Sequence, residues 1–249
     1  MINCIIQSNT ADNSGGGLYI SDSARVTIID CTILSNTAGR YGGGVSISSA
    51  SVAFTGCIIQ SNTGISSSSY GYGGGIYISG TGSISAENTV EITSCAISNN
   101  TGGVGGGLYI FTTSHSVTMT SCAISSNTAD NFNGGGMYID SSVSVALTDC
   151  LIKSNIASSN SGKGGGLLIK STTQVILTSC FISSNTAAAT YSGGGGLSVR
   201  SSTVTMEFCV ISSNIASQGD SGGIDIYEAI MTMNSCNITN NFSADKAGG

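Results

Sequence analysis

Nine cysteines divide the chain into repeats of similar length, and this regularity constrains the fold more than any other feature. Successive cysteines are separated by 27, 26, 38, 27, 28, 30, 29 and 27 residues. Isoleucine follows every cysteine by two positions, and asparagine follows every cysteine by five. A repeat of about 20–50 residues indicates a solenoid or a similar stacked array. The cysteines are Cys4, Cys31, Cys57, Cys95, Cys122, Cys150, Cys180, Cys209 and Cys236.

Each repeat contains three short segments in which apolar residues alternate with other residues. The first follows a run of glycines, as in Leu18-Tyr19-Ile20, the second is led by valine, and the third follows the cysteine. Alternation with a period of two predicts β-strands. Three such strands cannot bury their apolar faces alone, so equivalent strands of successive repeats must stack.

The sequence therefore predicts an all-β protein, a right-handed three-faced parallel β-helix of about nine rungs. We expect residues 1–249 to form a single β-helix domain with one rung per repeat of ~27 residues and a length of roughly 40 Å. No capping segment is visible at either end, so we expect a segment of a longer chain or a unit of a filament.

The cysteines occupy inward strand positions, where a thiol acts as a small buried hydrophobe. The chain has no CxxC pair and a single histidine, His115. Metal ligation and disulfide formation are therefore disfavoured, and we predict free buried thiols, no metal site and no cofactor.

The asparagine column follows the third strand, where we expect a left-handed turn conformation and side-chain hydrogen bonds along the rod. A structural ladder is favoured over a ligand site because the position is occupied by asparagine in every repeat. Its members are Asn9, Asn36, Asn62, Asn100, Asn127, Asn155, Asn185, Asn214 and Asn241. The glycine runs favour a corner with positive φ. A phosphate loop is disfavoured because a strand follows the glycines and not a helix.

Composition argues against two classes of partner. The net charge is −6, with only seven Lys plus Arg, so we predict no nucleic-acid binding. No apolar run approaches the ~20 residues that span a bilayer. No signal peptide is visible at the N-terminus. Three N-glycosylation sequons begin at Asn99, Asn237 and Asn241, and chance explains them equally well in a chain of this composition.

Two motifs of the repeat carry a family resemblance. They read Gly42-Gly43-Gly44-Val45 and Ile33-Leu34-Ser35-Asn36, and every repeat has both. The pattern resembles the repeats of chlamydial polymorphic outer-membrane proteins, with Gly in place of their usual Ala and Ile in place of their usual Phe. More broadly it is similar to the pectin-lyase-like β-helix superfamily. The resemblance implies a secreted surface adhesin, located extracellularly or at the cell surface.

One arrangement of charges deserves comparison with the enzymes of that superfamily. By resemblance, pectin-lyase-like enzymes use clustered Asp with Lys or Arg on an exposed strand face. Asp140, Lys170 and Arg200 fall on consecutive rungs here. A lone carboxylate is a poor basis for acid–base cleavage or calcium binding. We therefore expect a charge-balanced surface column and no enzymatic activity.

Aromatic residues supply the candidate recognition sites. Tyr77, Tyr109 and Tyr138 form an expected outward ladder on three rungs, which could stack on sugar rings, pack against another rod or stack within its own sheet. A second group lies where repeat length varies, between the asparagine and the glycine run. These corner residues are Tyr41, Tyr70, Tyr72, Phe132 and Tyr191.

The outward position after each cysteine is unexpectedly apolar in Ile58, Leu151, Phe181 and Val210. This stripe is either a lateral interface or a surface under a loop, and an interface is favoured. The sequence thus favours a structural or adhesive solenoid whose partner is itself, as a homo-oligomer or fibre, or a cell-surface glycan or protein. A polysaccharide-binding or lyase-like β-helix is the alternative. Ice binding is third, because the only complete outward threonine pair on the valine-led strands is Thr118 with Thr120.

Overall fold

The computed structural model describes residues 1–65, 71–80, 88–142, 144–188, 190, 193–245 and 248–249. In these ranges the chain consists of short β-strands and turns, without a helix. Every strand pairs in parallel with the equivalent strands of the neighbouring repeats, so one repeat forms one turn of a solenoid. The predicted parallel β-helix is confirmed.

Three sheets correspond to the three predicted strands of each repeat. The cysteine-led sheet comprises Ile5–Gln7, Thr32–Leu34, Ile58–Gln60, Ala96–Ser98, Ala123–Ser125, Leu151–Lys153, Phe181–Ser183, Val210–Ser212 and Asn237–Thr239. The glycine-led sheet comprises Leu18–Ser21, Val45–Ser48, Ile76–Gly80, Leu108–Thr112, Met137–Asp140, Leu167–Lys170, Leu197–Arg200 and Ile224–Tyr227. The valine-led sheet comprises Arg25–Ile29, Ser51–Thr55, Thr89–Thr93, Ser116–Thr120, Ser144–Thr148, Gln174–Thr178, Thr203–Glu207 and Ile230–Asn234.

A fourth sheet of two-residue strands adds to the three expected faces. It follows the asparagine column and is here called the short sheet. Its nine strands each place one side chain outward and one small residue inward, a pattern too brief for a period of two to be recognised. They are Thr10–Ala11, Thr37–Ala38, Thr63–Gly64, Thr101–Gly102, Thr128–Ala129, Ile156–Ala157, Thr186–Ala187, Ile215–Ala216 and Phe242–Ser243.

The interior is formed by columns of like residues in exact register. Ile76, for example, pairs with Val45 on one side and Leu108 on the other. The inward aliphatic residues and seven of the nine cysteines are buried in one continuous core. A shift of one residue in any strand would turn its apolar column to solvent, so the register is strongly specified.

The left-handed corners differ from the expectation for asparagine. The residue before each column asparagine has the positive φ, as in Ser35 at 53° and Ser126 at 55°. The column asparagines do not have a positive φ, and their side chains point inward, where they form hydrogen bonds with the neighbouring rungs. In six of the runs the first glycine does occupy the left-handed region, as in Gly42 at 62°. The glycine prediction is thus confirmed and the asparagine turn prediction is wrong.

Candidate functional site

The nine asparagines line the interior beside the short sheet, and the central seven are fully buried. Each donates its backbone N–H and its side-chain amide to the Oδ1 atom of the next asparagine, at 2.9–3.0 Å for Asn62 and Asn100. The second amide proton goes to a strand carbonyl, as from Asn100 to Ile59 at 2.9 Å. These buried polar groups therefore satisfy one another, which leaves no spare donor or acceptor for a ligand.

The cysteine column is also structural. All nine cysteines are free thiols, as predicted. Cys122, for example, donates to the carbonyls of Ile92 and Thr120 at 3.2 and 3.3 Å. Hydrogen bonds between neighbouring thiols raise the pKa of Cys95 and Cys180 and lower the pKa of Cys57, Cys122 and Cys209. The seven central thiols are buried, and structural cysteines buried in this way are unreactive.

The outer face of the glycine-led sheet is not the open surface that the sequence predicted. Tyr109 and Tyr138 are only 7% and 6% exposed, and Tyr77 is half-buried. Corner residues cover this face, because Tyr72 and Phe132 pack against the tyrosines and form a second apolar cluster outside the main core. The prediction of an outward, solvent-facing ladder is therefore wrong for Tyr109 and Tyr138.

The aromatic rings on this face form two rows that run along the rod. In the corner row, the rings of Tyr41 and Tyr72 stack with centroids 5.6 Å apart. In the sheet row, Tyr77 and Tyr109 stack with centroids 5.7 Å apart and planes within 2°. The rows meet at Tyr41 with Tyr77 and at Tyr72 with Tyr109, at 4.7 and 5.0 Å.

These two rows and Phe111 line a groove of about 210 Å³, here called the aromatic groove. The sequence separated its members into corner and ladder candidates. Their convergence could have been found, because Tyr41 and Tyr72 both directly precede a glycine run and are paired across adjacent rungs. Two other corner candidates, Tyr70 and Tyr191, lie outside the described residues.

The charged residues singled out as a catalytic possibility do not meet at one point. Asp140 accepts hydrogen bonds from the Tyr138 hydroxyl at 3.1 Å and from Ser141 at 3.0 Å. Arg200 instead forms an ion pair of 2.7 Å with Asp225, on the next rung. Lys170 lies between Asp140 and Arg200 in the register.

The apolar stripe on the cysteine-led sheet lies at the surface. Ile58, Leu151 and Phe181 are 43%, 38% and 52% exposed, and Val210 is partly exposed. The register places Leu151, Phe181 and Val210 side by side on three successive rungs. Lys153 is the single charged residue in the nine cysteine-led strands described above. Three further exposed apolar residues lie within five positions of the stripe in the sequence, namely Ile156, Phe208 and Ile215.

The valine-led sheet contains one continuous threonine column, which is not visible when the two outward positions of each strand are compared only with each other. The register aligns Thr55, Thr93, Thr120, Thr148 and Thr178 on five successive rungs. The neighbouring outward column is mixed, with Glu91 and Ile176 among its members. The surface is therefore not a regular two-column threonine array.

Within the described ranges, no helix is long and apolar enough to cross a bilayer. No curated protein and no solved structure matches the chain. The family model described as "Right handed beta helix region" matches residues 2–90 and 74–248. These two matches together cover nearly the whole chain and agree with the parallel sheets and single-turn repeats. The chain belongs to the right-handed β-helix family.

Proposed function

We propose that this protein is a non-enzymatic structural or adhesive β-solenoid, extracellular or at the cell surface, that associates laterally with a second copy of itself. The observation that carries the proposal is the exposed stripe of Ile58, Leu151, Phe181 and Val210 on the cysteine-led sheet. A contiguous apolar surface that crosses several rungs is a common mark of an interaction site.

A second copy fits this surface in periodicity and in charge. Both partners would repeat at the same strand spacing of about 4.8 Å, so side chains on the rungs of one rod can fit between the rungs of the other along the whole contact. The chain has a net charge of −6, which makes copies repel one another. The cysteine-led strands contain no carboxylate, so this face brings two copies together with little of that repulsion.

The size of the stripe predicts a weak association. From Ile58 to Val210 it crosses five rung steps, roughly 24 Å, and a three-residue strand is about 10 Å wide. The flat area is therefore on the order of 240 Å², well below the ~800 Å² that each partner buries in a stable interface. We therefore expect reversible contacts, strengthened when many copies align.

Two further observations support a structural role. Asp140 and Arg200, the strongest catalytic candidates, take part in hydrogen bonds and an ion pair that join neighbouring side chains of the sheet. The resemblance of the glycine and asparagine motifs to the chlamydial surface repeats supports an extracellular adhesive setting. The polysaccharide alternative drew on the Asp140, Lys170 and Arg200 column and on an open tyrosine ladder, and the burial of Tyr109 and Tyr138 argues against the second of these.

Sedimentation velocity over a range of concentrations tests the proposal. The wild type should associate reversibly at high micromolar concentration, and Phe181→Glu should remain monomeric because it places a carboxylate at the centre of the stripe. Thr120→Glu, on the exposed face of the valine-led sheet, is the matched control and should associate like the wild type. A wild type that stays monomeric, or equal association of all three proteins, would contradict the proposal.

A further inference from the structure

We propose that the aromatic groove binds the quaternary ammonium group of a phosphocholine-type ligand, with Arg40 contacting the phosphate at the rim. The groove lies on the glycine-led side of the rod, and its lining comes from the glycine-led sheet and the corner before it, not from the cysteine-led sheet of the apolar stripe. The inference is therefore independent of lateral association.

The size of the groove suits a small group. Its volume of about 210 Å³ is several times the ~30 Å³ that a water molecule occupies in the liquid. It is also smaller than the roughly 300–1,000 Å³ of pockets that enclose drug-sized ligands. A head group of a few heavy atoms fits between these limits, whereas an extended chain does not.

The lining selects for a cation over a neutral polar ligand. Among the described residues, the groove is lined by four tyrosines and Phe111. Neighbouring centroids lie 4.7–5.7 Å apart, so one cation above them can be within about 6 Å of several rings, the range of a cation–π interaction. A sugar would need convergent amide or carboxylate groups to bind its hydroxyls, and the lining offers phenols alone.

The two ends of the groove carry opposite charges, which suits the positive ammonium and the negative phosphate of a phosphocholine. Burial, followed by the charge of Asp140, raises the pKa of Tyr109, so this phenol stays neutral at physiological pH. Asp140 lies beside Phe111 on the adjacent rung, so its carboxylate is near the Tyr109 end of the groove and favours the ammonium there. At the opposite end, the exposed Arg40 has its guanidinium 4.9 Å from the centroid of Tyr41. This position leaves it able to pair with a phosphate.

Calorimetric titration of the full chain with phosphocholine, choline and the neutral isostere 3,3-dimethylbutan-1-ol tests the inference. Choline should bind at least tenfold more tightly than the neutral isostere, and phosphocholine more tightly than choline. Equal binding of choline and the isostere, binding of neither, or saturable binding of neutral hexoses in place of choline would overturn the assignment.

Variants locate the site and separate its two parts. Tyr41→Leu with Tyr72→Leu should abolish choline binding while circular dichroism stays unchanged, and Tyr77→Phe should retain it because the ring remains. Arg40→Gln should weaken phosphocholine about tenfold and leave choline unaffected. Tyr19→Leu is the matched control, since Tyr19 occupies the column of Tyr77 but is exposed on the first rung. Loss of choline binding in Tyr19→Leu, or retention of choline binding in the Tyr41→Leu, Tyr72→Leu double variant, would contradict this site.

The source of the ligand is distinguished by flotation with phosphatidylcholine vesicles. Vesicle binding that free phosphocholine displaces would identify a lipid head group. Binding of free phosphocholine without vesicle binding would identify a soluble ligand or one carried on another molecule. Either result supports the groove, and the absence of both kinds of binding overturns it.

Discussion

Asn100 donates both its backbone N–H and its side-chain amide to the single Oδ1 atom of Asn127, each at 3.0 Å. Asn127 in turn donates to Asn155 at 3.0 Å and to the Ile97 carbonyl at 2.9 Å. A side chain in the middle of the column therefore satisfies buried partners on both adjacent rungs.

Asn127→Ala should consequently be strongly destabilising. It leaves two buried donors of Asn100 without their acceptor and removes the side-chain donor to the Ile97 carbonyl and to Asn155, whose Oδ1 keeps the backbone N–H of residue 127. Each orphaned buried group costs about 1–3 kcal/mol. We expect a loss of roughly 3–5 kcal/mol in the free energy of unfolding, measured by chemical denaturation. Asn9→Ala, at the exposed end of the column, should cost about 1 kcal/mol or less, since water replaces its contacts. Equal costs at the two positions would contradict a cooperative ladder.

Glycine is required within the runs because neighbouring rungs approach closely. A Cβ atom added to Gly106 would lie 2.4 Å from the carbonyl oxygen of Thr128 and 2.5 Å from that of Gly135, and backbone cannot move aside locally. Gly106→Ala should therefore lower the melting temperature markedly or prevent folding. At Gly64 the nearest atom is 3.6 Å away, and equivalent positions such as Ala38 and Ala129 already have the methyl group. Gly64→Ala should be neutral or slightly stabilising, and a similar loss in both variants would refute the close-approach explanation.

The single histidine provides a clean pH dependence. His115 is buried, its Nε2 lies 3.1 Å from the Ala50 carbonyl, and its Nδ1 lies 2.7 Å from the Thr112 hydroxyl. Burial lowers the pKa of His115 in the folded state. Above about pH 6.5 the imidazole is neutral in both folded and unfolded chains, so its contribution to stability is complete. As the pH falls below that value, the unfolded chain takes up the proton first, and stability is lost until the folded pKa is passed.

Chemical denaturation between pH 7.5 and 4.5 measures this dependence. The wild type should lose up to about 1.4 kcal/mol per pH unit more than His115→Gln within the window, because the variant has no imidazole to protonate. The carboxylates titrate in both proteins, so their effect cancels when the unfolding free energies of the wild type and the variant are subtracted at each pH. A wild type and variant with parallel pH profiles would show that His115 does not resist protonation.

The repeats made the main architecture predictable for a definite physical reason. Cysteine, isoleucine and glycine recur because each must stack on its equivalent, so periodicity in the sequence is periodicity in space. The inward columns, the free thiols and the glycine corners such as Gly42 followed directly. The short sheet did not, because a strand such as Thr37–Ala38 contains too few residues to show alternation.

The outer surface was harder to predict because it depends on segments that do not repeat. Corner lengths vary between rungs, so no periodicity reveals that Tyr72 and Phe132 cover the glycine-led sheet. Outward orientation of Tyr109 was correctly inferred from alternation, but orientation does not imply exposure when a second layer packs on the sheet. Likewise, Asp225 lies in the column of Ser198 and not in that of Arg200, so alternation alone did not show that the Arg200 side chain crosses to the neighbouring column to form the ion pair.

Small-angle X-ray scattering over a concentration series tests lateral association through the cysteine-led face most directly. It separates the cross-section of a rod from its length. We expect the cross-sectional radius to increase with concentration while the length stays constant, and we expect Phe181→Glu to abolish the increase. A length that grows at constant cross-section, or a rod whose dimensions never change with concentration, would contradict it.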